Sequence, residues 1–70
     1  MIIKFKEQRK FTFGGEITVG TEYNIENTIE TFSELYVGFN DDRGVRVGFK
    51  LIHQDGSIDS DVEIVSYDDN

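Results

Sequence analysis

Apolar side chains recur at every second position along three runs in the C-terminal half of the chain. The runs are Leu35, Val37 and Phe39, then Val45, Val47, Phe49 and Leu51, then Ile58, Val62 and Ile64. Alternation at the strand period, with turn residues between the runs, predicts a three-stranded antiparallel meander over residues 35–65 with one apolar face. Register can be tested on paper, because a slip of one residue sends an apolar set to the wrong face. If Asp41 opens a type I turn over Asp42 and Arg43 and Gly44 takes the left-handed position, Phe39 meets Val47 and Val37 meets Phe49. If Asp55-Gly56 is a two-residue primed turn, Phe49 faces Val62, Val47 faces Ile64, and Lys50 meets Asp61 on the outer face.

Upstream, Ile3 and Phe5 alternate with Lys4 and Lys6, predicting a strand over 2–6. Phe11, Phe13, Ile17 and Val19 flank Gly14-Gly15, predicting a hairpin over 10–19. Core packing is the expected job of both phenylalanines, since so small a domain needs its aromatic rings inside. Exposed beside Arg9 and Lys10, they would instead form a stacking platform for single-stranded nucleic acid.

Residues 22–36 satisfy two periods. Tyr23, Ile25 and Ile29 share a strand face, whereas Ile25, Ile29, Phe32 and Tyr36 make a helical stripe. A short helix within 24–34 is favoured, because it buries Phe32 and covers the meander. The expectation is therefore a single α+β domain over 1–70: a mainly antiparallel sheet, one short helix and a frayed tail over 66–70. The alternative is an all-β SH3-like small barrel, in which 22–30 is a strand and Tyr23, Tyr36 and Phe39 help to form a peptide groove.

Seventy residues bury only about 60% of their unfolded surface. The chain has no cysteine and so no disulfide framework, and no apolar run nears the roughly 20 residues of a membrane span. A cytoplasmic setting is expected, that of a host cell if the chain is phage-encoded. Charge changes the picture more. The net charge is -7, and its placement is uneven. Up to Gly15, four cations oppose Glu7 alone; from Glu16 onward, thirteen acids oppose Arg43, Arg46 and Lys50. That field repels phosphate backbones, so direct nucleic-acid binding is not expected of the domain body.

Catalytic templates lack parts: there is one histidine, His53, no cysteine, and no phosphate-binding or nucleophile motif. No enzyme activity, cofactor or metal is expected. Asp55, Asp59, Asp61 and Glu63 do not follow the calcium-loop pattern, and on a strand the last three stand about 6.6 Å apart. Pairing with Lys50 and Arg46 across the hairpin explains them better.

The candidate partner-binding residues are Glu22, Glu26, Glu30 and Glu34, joined by Asp41, Asp42, Asp59, Asp61 and Glu63. Four glutamates at a strict spacing of four would place carboxylates about 6 Å apart along a helix, near the phosphate repeat of a nucleic-acid strand. The expected function is binding of a protein with a basic surface, by nucleic-acid mimicry in its sharper form. In type and composition the chain resembles inhibitors that phages and mobile elements direct at host restriction or CRISPR effectors. The alternative function is that of a small SH3-like adaptor or structural subunit, and a homodimer through an edge strand is possible for either.

Overall fold

The computed structural model describes residues 1–11 and 14–67. It is all-β: β1 (Ile2–Phe5), β2 (Glu22–Glu30), β3 (Leu35–Asn40), β4 (Arg46–Ile52) and β5 (Val62–Ser66). They form one antiparallel sheet in the order β4-β3-β2-β1-β5, curled into a half-barrel. The expected helix is absent among the described residues, and the small-barrel alternative fits.

The first hairpin has the register expected of it. Phe39 opposes Val47 and Val37 opposes Phe49. Asp41 opens the turn, Gly44 N–H donates to its carbonyl at 3.0 Å, and Gly44 stands at φ +80°. That positive φ carries no penalty for a residue without Cβ.

The second hairpin corrects the sequence reading. Gly56 N–H donates to the His53 carbonyl at 2.8 Å and His53 N–H to the Ser57 carbonyl at 2.8 Å, so a longer bulged turn replaces the two-residue one. Only Gly56 has positive φ there, whereas the primed turn needs it at Asp55 as well. Pairing with β4 then stops after the Ile52–Ile58 bridge and a bond from Asp59 N–H to the Leu51 carbonyl. The chain crosses to β1 instead, where Val62 opposes Phe5 and Ile64 opposes Ile3. Val62 therefore never faces Phe49, nor does Lys50 meet Asp61. The edge of β1 wins because its two inward residues are both fully buried and need apolar cover.

The segment 22–30 is a strand because it stands between two others. Its first residues pair with β1 and its later ones with β3. A helix there would leave one edge of β1 and one edge of β3 without a partner, and Asn24, Asn27 and Thr28 gain little from helical geometry. Ile25 opposes Phe39, but Asn27 opposes Gly38, so Glu26 is the extra residue of a bulge. The bulge reverses the side-chain parity of the strand. Tyr23 is buried, while Ile29, opposite Tyr36, is 60% exposed. Of the expected tail over 66–70, Ser66 ends β5 and pairs with Ile2, and residues 68–70 lie outside the described residues.

The concave face holds an aromatic cluster. Phe5, Phe39, Ile3 and Leu51 are fully buried, and the ring of Phe5 lies within 6.0 Å, centroid to centroid, of those of Phe11, Tyr23, Phe39 and Phe49. The expected hairpin over 10–19 does not form among its described residues; Phe13 lies outside them. Residues 6–11 and 14–21 instead fold over the open side of the half-barrel and bury Ile17. Arg9 closes that side. Its guanidinium lies 4.9 Å from the Phe49 centroid and 5.5 Å from that of Phe11, and Nη1 donates to Asp59 Oδ2 at 3.0 Å. Ring and cation are thus engaged internally.

Candidate functional site

The nine carboxylates named from the sequence do not form one surface. Asp41 is only 6% exposed and works inside the fold. Its Oδ1 accepts the N–H groups of Arg43 (2.9 Å) and Val45 (2.8 Å), and its Oδ2 that of Glu16 (2.8 Å). Burial alone pushes this carboxyl up, but three backbone donors and Arg43 outweigh it and hold the group below its ordinary range. Asp42 accepts hydroxyl bonds from Thr18 and Tyr23, both at 2.6 Å. Burial and the Asp42 carboxylate together push the Tyr23 hydroxyl up.

Asp59 binds Arg9, accepts Asp61 N–H at 3.1 Å and lies 3.4 Å from His53 Nε2. Despite its burial, those donors hold its carboxyl low. The predicted partners of these acids are displaced. Lys6 N–H donates to the Asp61 carbonyl, and Lys4 stands between Glu22 and Glu63 in the sheet.

Glu22, Glu26 and Glu30 are exposed, as is Glu63. The bulge at Glu26 breaks their stripe: Glu22 opposes Lys4 on the outer face, whereas Glu30 opposes Leu35 and has the parity of the core side. Glu34 is taken by β4. Lys50 Nζ lies 2.7 Å from its Oε2, and Tyr36 Oη donates to its Oε1 at 3.2 Å. Each ion holds the other charged, Glu34 lowered by Lys50 and Lys50 raised by Glu34.

A different site emerges on the outer face of β2, β3 and β4. Gly38 and Gly48 oppose each other directly, so neither puts a side chain on the centre of the face; the Asn27 amide covers Gly38 and leaves the backbone of Gly48 exposed. The cross-strand pair Tyr36–Lys50 bounds the floor at one end and Asn40–Arg46 at the other. With Ile29 and Asn27 from β2, the side chains of Tyr36, Lys50 and Arg46 border a trough of about 520 Å³.

The two glycines have different reasons to be there. A Cβ on Gly38 would collide with Asn27 Oδ1, whose amide lies across β3. That oxygen accepts Arg46 Nη1 at 2.7 Å, while Asn40 Oδ1 accepts Arg46 Nε at 3.1 Å. Gly38 thus makes room for the amide that aims Arg46. A Cβ on Gly48 would meet only the Val37 carbonyl oxygen at 3.6 Å, an ordinary contact, and Gly48 has no positive φ. Nothing in the fold demands glycine at 48, and its absent side chain is what leaves the trough open.

Of the groove residues expected for a small barrel, Tyr36 lines the trough, while Tyr23 and Phe39 are core residues. Sequence reading passed over Ile29, Gly38, Arg46 and Gly48. The first hairpin's register held the signal, since pairing Val37 with Phe49 places Gly38 opposite Gly48. Among the described residues no three His, Cys, Asp or Glu side chains converge as for a metal ion, and no helix is long and apolar enough to cross a membrane. Compared with known proteins, the chain matches no family model, no curated sequence and no solved structure.

Proposed function

We propose that this chain is a non-enzymatic binding module, a small barrel of the SH3-like sort that takes a segment of a protein partner in the outer trough of β2, β3 and β4. The observation that carries the reading is Gly48. Glycine inside a strand forgoes about 0.5–1 kcal/mol relative to alanine, and here neither backbone conformation nor crowding calls for it. The vacancy exposes backbone and apolar wall to an incoming side chain, with Arg46 and Lys50 at its ends. Concave, mainly apolar lining with a few polar groups at fixed positions is how such sites are built.

Selection of displayed random peptides on the folded protein tests this. Peptides that bind wild type but lose at least about tenfold in affinity for Gly48→Val, with the variant still folded, support the trough. Peptides indifferent to that substitution overturn it.

The exposed acids favour a second reading, an inhibitor that presents Glu22, Glu26, Glu30 and Glu63 to a basic protein surface, phage-encoded and mimicking nucleic acid. It predicts that partners captured at low salt are released at physiological salt and lost when Glu22, Glu26 and Glu30 are reversed to lysine. Partners retained by the reversed protein would overturn it.

A further inference from the structure

Phe32 is the surface residue that the fold explains least. It is fully exposed at the β2–β3 turn. That turn is fastened, with Thr31 N–H donating to the Glu34 carbonyl at 2.9 Å and Glu34 N–H to Thr31 Oγ1 at 3.1 Å. The ring is held out in water by a rigid support, the arrangement of an interface anchor. Two residues away, Glu30 is exposed and forms no ion pair with any described residue.

The trough carries the converse features. Its floor is exposed backbone at Gly48 and the Asn27 amide over Gly38, and Ile29 and Tyr36 line it. An apolar cavity of about 150 Å³ already accommodates benzene, and the trough is about 520 Å³. At one end Arg46 is oriented by the amide oxygens of Asn27 and Asn40, with no carboxylate of a described residue among its partners. Lys50, by contrast, is already neutralised by Glu34.

Resting on the reading of the trough as a binding site, we propose that its occupant is the Phe32 turn of a second copy of this chain. The ring lies over Gly48 beside Ile29 and Tyr36, and Glu30 pairs with Arg46. Each copy offers one turn and one trough, so the contact is satisfied twice if it closes about a two-fold axis and otherwise continues as an open array. Every copy carries a charge of -7. Association is therefore measured at physiological salt, where repulsion is screened beyond about 8 Å.

Sedimentation of the intact chain up to about 1 mM, the weak end of specific association, provides the test. Wild type is expected to associate. Phe32→Ala should weaken association about 30-fold, the loss of one aromatic anchor, and Gly48→Val should abolish it while the protein stays folded. Glu30→Arg and Arg46→Glu should each weaken it, and the two together should restore it, which no merely structural role would do.

A wild type that stays monomeric overturns the inference. So does association indifferent to Phe32→Ala and Gly48→Val, which would place the contact at a sheet edge, and so does a double reversal that fails to restore. A monomer whose selected peptides still discriminate against Gly48→Val refutes the second copy as occupant and leaves the trough standing. Peptides indifferent to Gly48→Val refute the trough itself.

Discussion

Asp41 illustrates how a residue that reads as surface charge can be a structural hub. One carboxylate satisfies three backbone N–H groups, two within its own turn and one, from Glu16, on the long β1–β2 connection. A buried acceptor with so many donors favours its ionised form. Its folded pKa lies below the unfolded value, so its contribution is complete above about pH 4, the unfolded value, and is lost as pH falls through the depressed folded value. Asp59 has the same sign. Urea denaturation followed against pH should show a plateau near neutrality and a steep loss below about pH 4. Asp41→Asn should be less stable on the plateau and have a shallower acid limb. An unchanged limb would show that other carboxyls dominate acid unfolding. The sequence marks Asp41 as a turn opener but not as a hub, and shows Asp42 and Asp59 only as solvated acids, because the donors that engage them come also from the distant residues 16, 18, 23 and 9.

At the scale of elements, the two glycine-closed turns and β2 show where local chemistry suffices and where it does not. The β3–β4 hairpin was legible because turn type, loop length and strand alternation agree within 17 residues of chain, Leu35 to Leu51. Gly44 stands at φ +80° with open space around its Cβ position. Gly44→Ala should therefore cost about 1 kcal/mol through backbone strain alone, whereas Gly48→Val should leave stability unchanged or raise it. Thermal unfolding of the two variants checks the contrast, and a destabilised Gly48→Val would mean that the glycine serves the strand rather than the trough. For β2 the argument that Phe32 needs a helix to bury it failed. Phe32 stays in water, and the bulge at Glu26 turns Ile29 outward as well. Hydrogen bonding to two neighbouring strands outweighed one apolar ring, since up to nine residues of backbone found partners that a helix would have denied to β1 and β3.

At the scale of the whole molecule, the half-barrel is held by its aromatic centre and by the Arg9–Asp59 contact across its open side. Phe39 is fully buried against Phe5, Phe11, Tyr23 and Phe49. Phe39→Ala should cost about 3–5 kcal/mol, much of the stability available to so small a domain. Calorimetry should then find little or no cooperative transition, and a preserved one would show that the cluster repacks.

What the sequence determined by itself is everything that rests on neighbours in the chain. It specified that the alternating runs of β1, β3, β4 and β5 become strands, the register of β3 against β4 and, through that register, the opposed glycines of the trough. Tertiary structure alone decided where β5 pairs, that residues 22–30 are a strand between two others, which acids are spent inside the fold, and that Phe32 remains outside. Each of those outcomes depends on hydrogen-bond partners and apolar cover supplied by residues distant in sequence. Their competition is settled by the geometry of the curled sheet, and no local pattern encodes it.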